Sequence, residues 1–596
     1  MSVLRKSRSA WLALVATLFV GAPAAAFPGF IAAKKETPRV HSSSVALMKK
    51  GNTTVVSVMP DYQGELEPFA VVLVVPPDVT ADHVITLKRE FVDRLDQISA
   101  PRFHEFWEQD PCDPGPVEQE WERNLKVSGG GFLGGGPVSG GEKKLAKELF
   151  LDVTAKQKEG EYTFTVLGEG ESPAGFLKGK GYTLPEGADA AIAPYVAAKQ
   201  RFVVAEVDTK RIELIGGDRA QLSPIRFFTE QPYDTIPSRL GIVNAPPGVE
   251  QELLVFTLDP SERFGAKNYK DMFAPTNVEV DFAVKERMGE FYASLHDIIL
   301  QKNPKTFLVE YAWPHDGCGK PCATEPLMIS ELLSLGADIF ERAVPDEEKH
   351  PPVPPLSKEE EAAEKAMLKE LKPKERKDKE RALKEERKTV VERKALVERH
   401  KYILTRLHYR YSGATLPEDP KFGPAPGAEG GTALPKGAKR EATMDVKTGG
   451  ENKLQTRYNN FHPWKPVIQC QSPDRFRWGK SPPDYRGLRK TWVVEDLARK
   501  NRKQIKATET IMTPLPALGI TGAVAKEEAK DAGADGSLDT AAAPEAAKSC
   551  GCRVPGGGAT AGSPLALAFL IPGLLAVFRR RGRAEAAARD SRKSAV

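Results

Sequence analysis

Chemistry-bearing motifs are what this chain most lacks. It has no Gly-x-Ser-x-Gly elbow, no His-Glu-x-x-His, no phosphate loop ending in Lys-Ser/Thr and no Cys-x-x-Cys. Nucleophilic hydrolysis, zinc proteolysis, phosphate-loop nucleotide binding and thiol redox exchange therefore get no local support. The nine histidines are scattered without ligand spacing. Net charge is also scarce, at +5 over 596 residues with acid and base interleaved, so nucleic acid is not an expected partner. Long apolar runs are confined to the two ends.

What is present begins with those ends. Arg5, Lys6 and Arg8 precede the apolar stretch Ala10 to Val20, and Ala24 and Ala26 supply small residues at a cleavage site. These are the three parts of a secretory signal, residues 1–26, and they imply an oxidising compartment in which cysteines pair. At the other end Cys550 and Cys552 are followed by a Gly/Ala spacer, an apolar run over 559–578, and Arg579, Arg580 and Arg581. Roughly 20 apolar residues suffice to span a bilayer, and the arginines would keep that end in the cytoplasm. The order cysteine, spacer, apolar helix, arginines resembles the myxobacterial C-terminal sorting tail, here 550–596. That resemblance implies a sorting protease as a partner, cleavage near the cysteine and membrane anchorage at the cell surface. A plain single-pass tail anchor is the simpler alternative.

Between the ends the pattern is α+β. Ser43 to Met48 and Thr53 to Met59 read as a hairpin turning at Gly51-Asn52. Phe69 to Val75 is an apolar run of the kind a buried strand has. Thr86 to Ser99, Asp189 to Lys199, Asp281 to Leu300 and Met328 to Gly336 read as helices, the last ended by its glycine. Glu161 to Leu167, Arg201 to Val207, Ser223 to Phe228, Arg239 to Val243, Glu252 to Leu258 and the segment from Lys305 read as strands. Ser128 to Gly141 contains a formal Gly-x-Gly-x-x-Gly but has neither the preceding strand nor the following acid of a dinucleotide site, and reads as a flexible loop.

The segment PRFHEFWEQDPC brings His104, Glu105, Glu108 and Asp110 together, a mixture that could bind a metal or move protons. The plainer reading, adopted here, packs its aromatics on a sheet and leaves its charges in water. Cys112, Cys318, Cys322 and Cys470 are the disulfide candidates, and four cysteines allow three connectivities. We favour Cys318–Cys322 with Cys112–Cys470. A zinc site at His315, Cys318 and Cys322 would need a second close ligand pair, which is missing, so neither metal nor cofactor is expected.

Several blocks recur in an order that resembles a known family. They are DYQG from Asp61, APRFHEFWEQDPC, RFVVAEVD, PSRLGIVNAPPGVEQELLVFTL, NYKDMFAPTNVEV, FLVEYAW with its cysteine pair, LTRLHYRYSGATLPEDPKF and NFHPWKPVIQC. Together they look like the secreted bacterial proteins of domain of unknown function 2330. The resemblance spans Pro28 to Gly336 and Lys401 to Cys470, implies export and carries no assigned activity. The sequence departs from some relatives in lacking cysteines at Phe27 to Phe30.

The domain reading follows. The main globular part runs over 27–344 and resumes at 400–480, with a flexible loop at 416–450. Between them 345–399 is a charged helical insertion broken at Pro373, with Glu361–Lys365 and Glu380–Lys384 pairs. It has one apolar position per heptad, too few for a coiled coil, and is expected to dock only where Leu396, Ile403, Leu404 and Leu407 gather. Residues 481–549 hold the end of a basic-aromatic stretch (Arg475, Phe476, Arg477, Trp478, Lys480, Tyr485, Arg486, Arg489, Lys490, Trp492) and then a disordered stalk from Ala507. The expectation is an exported, surface-anchored, non-enzymatic protein that binds an envelope protein or an acidic glycan. The alternative is an extracytoplasmic hydrolase-like enzyme using His104, Glu105 or His315.

Overall fold

The computed structural model describes residues 27–113, 115, 160–212, 214–215, 218–246, 250–318, 324–432, 444–481 and 505–523. The signal, the 128–141 loop, the distal stalk and the sorting tail lie outside them. Among the described residues no helix is long and apolar enough to cross a membrane.

Five long strands carry the body: β1 (Ser42–Lys50), β2 (Thr53–Gln63), β3 (Gln251–Asp259), β4 (Thr306–Pro314) and β5 (Ile403–Tyr411). They lie side by side in the order β4-β5-β3-β1-β2, with β3 parallel to β1 and the other pairs antiparallel. The β1–β2 turn needs its glycine, since Gly51 has φ +62°. Strand alternation splits each strand between two apolar cores. Val45, Val56, Leu253, Val309 and Leu407 face a second sheet, through its Ile31, Val71, Leu73 and Val203. Ala46, Val55, Leu254, Leu308 and Leu404 face helices α1 (Arg89–Ser99) and α2 (Met288–Lys302). The second sheet runs Gly29–Ala33, Phe69–Val75, Arg201–Val207, Tyr162–Val166. Its outer face (Ala70, Val72, Phe202, Val204) is covered by Leu177 and Ile192 of two short helices. The layers are helix, sheet, sheet, helix. Each large apolar side chain buried this way contributes roughly 1.5–3 kcal/mol.

A smaller sheet holds Val278–Glu279, Arg457–His462, Arg102–Glu108 and Trp478–Gly479. It brings the chain near residue 460 back beside the chain near residue 105. The Cys112–Cys470 bridge closes this return over a sequence separation of 358.

Several expectations are corrected. Arg239 to Val243 is not a strand but part of a 3₁₀ turn, Ser238–Asn244. The Asn244 side chain bonds both the N–H and the C=O of Ile31, which draws the segment inward. The helix expected over Thr86 to Ser99 starts at Arg89, after a short strand Val84–Thr86. The Asp281 to Leu300 helix is split into a 3₁₀ turn, Phe282–Val284, and α2. The helix from Ile329 does end at Gly336, whose backbone is non-helical, and a second short helix, Asp338–Arg342, follows directly. The φ of +148° at Gly336 and its approach to Val55, where an added Cβ would lie 2.6 Å away, require glycine. The loop expected over 416–450 contains strands Phe422–Ala425, Ala428–Gly430 and Lys447–Thr448. The stalk does not begin at Ala507. Ile511, Leu515, Leu518 and Ile520 pack into the helix-side core, because four apolar residues at close spacing bury more than their polar neighbours cost.

The insertion forms α3 (Lys358–Lys369) and α4 (Pro373–Arg399), separated at Pro373 as expected. Ile403, Leu404 and Leu407 belong to β5, not to a docking tip of the insertion.

Candidate functional site

Strand β5 reads ILTRLHYRY. Its odd positions, Leu407, Tyr409 and Tyr411, enter the core between the sheets. Alternation sends Arg406, His408 and Arg410 to the other face. On a strand facing water this would be an ordinary polar face. Here α1 and α2 cover it, and Arg406 and His408 are 0% exposed. Charges so placed are tolerated only when paired.

The neighbouring strands and helices supply the partners. The β4–β5 register shifts between Val309 and Tyr311, which makes Glu310 the extra residue of a β-bulge. Its carboxylate accepts from Arg406 Nε at 2.5 Å through Oε2, and from His408 Nδ1 at 2.7 Å and the Tyr292 hydroxyl at 2.6 Å through Oε1. Glu252 lies opposite Arg410 across the β3–β5 ladder. Its Oε1 is 3.2 Å from Arg410 Nε, and its Oε2 is 3.7 Å from His408 Nε2, an ion pair but not a hydrogen bond. From α2, Asp297 pairs with Arg410 at 2.5 Å, and Ala293 C=O accepts from the same guanidinium at 2.9 Å. From α1, Asp96 accepts from Arg406. Tyr292 and His296 share a face of α2 because they are four residues apart.

The electrostatics follow from this packing. Burial by itself would raise the Glu310 carboxyl, but the His408 and Arg406 charges hold it down at about 2. Burial would lower His408, and Glu310 outweighs it and raises the imidazole above its ordinary value. Burial, with His408 and Arg410 nearby, pushes His296 well below its ordinary value. Asp297 is raised to about 6, chiefly by burial, with Arg410 opposing. His296 has no hydrogen-bond partner at either ring nitrogen, and its ring stands edge-on to His408 with centroids 4.5 Å apart. Ligand atoms of His296, Glu310 and His408 all lie within 4.8 Å of one another, so these three residues could hold a metal ion.

Beside Asp96 is a small cavity of about 50 Å³, lined by Ser42, Asp61, Arg89, Asp93 and Arg219 together with the apolar Met59, Pro60 and Leu254. It has room for a few waters. Small-molecule sites are typically roughly 300–1,000 Å³, well beyond this. Its charges pair internally, Asp61 with Arg219 at 2.7 Å and Arg89 with Asp93 at 2.9 Å.

The sites expected from sequence lie elsewhere. His104 packs against Phe106. Glu105 pairs with Lys285 at 2.7 Å and with His462 at 3.0 Å. Glu108 is not left to water. It is 4% exposed and accepts from the backbone N–H groups of Trp464 and Phe476 and from Arg475. Asp110 caps the Cys112 N–H. His315 is buried and accepts from the Tyr402 N–H through Nδ1 at 3.1 Å. Cys112 and Cys470 are bridged, and Cys318 is also disulfide-bonded; its expected partner Cys322 lies outside the described residues. In the basic-aromatic stretch Arg475 serves Glu108, while Phe476 is 64% exposed. Tyr485, Arg486, Arg489, Lys490, Trp492, Ala24, Ala26, Cys550, Cys552 and Arg579 to Arg581 lie outside the described residues.

Comparison with known proteins adds one firm result. Residues 22–423 match a family described as an uncharacterised protein conserved in bacteria (DUF2330). No curated protein matches. Among solved structures, baculovirus P35 aligns at 11% identity over 39% of this chain and 76% of its own, with a TM-score of 0.18, too low to carry an argument.

Proposed function

The chain belongs to this uncharacterised bacterial family, and from that premise we propose that it is an exported cell-envelope protein, anchored at the outer surface by its C-terminal segment and acting as a non-enzymatic binding or structural protein. The observation that carries the reading is the Cys112–Cys470 bridge, which joins residues 358 positions apart and suits an oxidising compartment. The secretory pattern at the N-terminus and the sorting-tail pattern at the C-terminus agree with it. The non-enzymatic part is supported by the side chains themselves: the carboxylates around β5 and those around Glu108 are engaged with one another's neighbours.

The partner surface we favour is the α3–α4 hairpin, which has almost no buried side chain along its length. Its charge mixture suits an envelope protein, and the basic-aromatic stretch beyond Arg475 suits an acidic glycan. A clamp joins the hairpin to the body: Arg399 Nε donates to Glu341 at 3.0 Å, and His400 Nε2 lies 2.6 Å from the same carboxylate. Burial opposes ionisation of Glu341, but the hydrogen bonds from His400 and Arg399 hold it at about 2, below its ordinary 4.5. A carboxyl depressed on folding stabilises fully above its ordinary value and loses that contribution as pH falls through its folded value. Acidification from pH 4.5 towards pH 2 is therefore expected to loosen the end of α4 before the sheets. Hydrogen exchange corrected for its intrinsic pH dependence should show protection lost first near Ala395 to Arg399. Unchanged relative protection would discard the clamp.

The reading as a whole is tested by the non-reducing intact mass of the protein extracted from membranes. The expected mass lacks both ends, carries an added lipid and is two hydrogens lighter for each bridge. A mass that retains the C-terminal segment overturns the sorting reading, and recovery from the cytoplasm with reduced cysteines overturns export.

A further inference from the structure

We propose that His296, Glu310 and His408 bind one divalent transition-metal ion of the zinc class. The first support is an unmet need. His296 is 0% exposed, yet neither ring nitrogen has a hydrogen-bond partner, and His408 Nε2 also lacks one. Buried polar groups are seldom left in this state. The second is the donor set, two imidazoles and a carboxylate with ligand atoms within 4.8 Å of one another. Zinc bonds of roughly 2.0–2.2 Å place neighbouring ligand atoms somewhat closer than that, so a modest inward movement of side chains suffices. The third is charge. Asp96, Glu252, Asp297 and Glu310 face Arg406 and Arg410 in one network, and with both histidines neutral, as metal ligands must be, two negative charges remain uncompensated. A divalent cation balances them.

Binding exchanges one proton of the His408 imidazolium for the ion and raises the net charge of the cluster by one. The ion takes the place of the proton between His408 Nδ1 and Glu310 Oε1, and that proton leaves to solvent. Arg406 stays on Glu310 Oε2 and orients the ligand carboxylate from outside the coordination sphere. The ion would act by tying α2 to β4 and β5, residues that are far apart in sequence.

The test uses the full chain, unfolded in chelator and refolded with Zn²⁺, with Co²⁺ or with chelator alone. The expected result is one equivalent of bound metal, visible d–d absorption with Co²⁺, and a higher Tm with Zn²⁺ than in chelator. His296→Ala removes a ligand that makes no hydrogen bond, so it should fold and lose at least tenfold in metal affinity. Identical Tm values in chelator and Zn²⁺, with no Co²⁺ absorption in the wild-type chain, overturn the proposal and leave protons and water to complete the cluster. That wild-type measurement decides even if His296→Ala does not fold. It is also independent of export, because it is made on the refolded chain.

Discussion

Glu310→Ala is expected to destabilise the protein by roughly 3–5 kcal/mol, the usual cost of breaking a buried ion pair from one side. The loss of contacts is the smaller part. Arg406 and His408 are both 0% exposed; without Glu310, Arg406 keeps a charge where water cannot reach it, and His408 loses the carboxylate that chiefly offset its burial. Asp96 still pairs with Arg406, but His408 is left with Glu252 at 3.7 Å, too far for a hydrogen bond. Tyr292 loses its acceptor as well. Glu310→Gln keeps the volume but offers an amide where three donors converge, so its cost should be intermediate. Replacing Glu310 and Arg406 together by leucine should cost less than the sum of the single changes, since no lone charge remains between them. Guanidinium unfolding followed by circular dichroism makes the comparison. A loss below about 1 kcal/mol for Glu310→Ala would show that the network is not what holds β4, β5 and α2 together.

Removing the Cys112–Cys470 bridge should have the second large effect. Cross-linking positions 358 apart restricts the unfolded chain strongly, and the chain-entropy account assigns such a bridge roughly 3–5 kcal/mol. The local consequence is specific. Glu108 takes its partners from Trp464, Arg475 and Phe476, all on the segment that the bridge holds down. The double variant Cys112→Ser, Cys470→Ser is expected to melt at lower temperature and to become sensitive to protease between His462 and Gly479. Equal Tm values with and without reductant would rule out a stabilising role for the bridge.

Much of the layered body could be read from the chain because its signals are local. Phe69 to Val75 and Arg201 to Val207 are strands with the limits their apolar runs suggest. Pro373 separates the two insertion helices, as a residue without an N–H should. Residues 507–523 depart from the expected stalk because Ala-, Gly- and Asp-rich sequence follows them, and composition averaged over the whole stretch hides four apolar positions. The 239–243 error has a different origin. Its residues favour a strand, but a side chain bonded to Ile31 outweighs a propensity whose whole scale spans only about 1 kcal/mol.

The charge cluster was visible only as a hint. Arg406, His408 and Arg410 alternate with apolar residues, the pattern of a half-exposed strand. Nothing local says that two helices cover the polar side, or that Glu310, 96 residues before Arg406, stands beside it. Most of the body's strands, though not β5, together with the helical insertion, the family blocks and the cysteines available for bridging, could be read from the chain alone, since these depend on side-chain periodicity and turn chemistry. That the polar face of β5 is buried, and that His296, Glu310 and His408 meet, depends on how distant segments pack. Periodicity says which residues share a face; what covers that face is settled by segments hundreds of residues away.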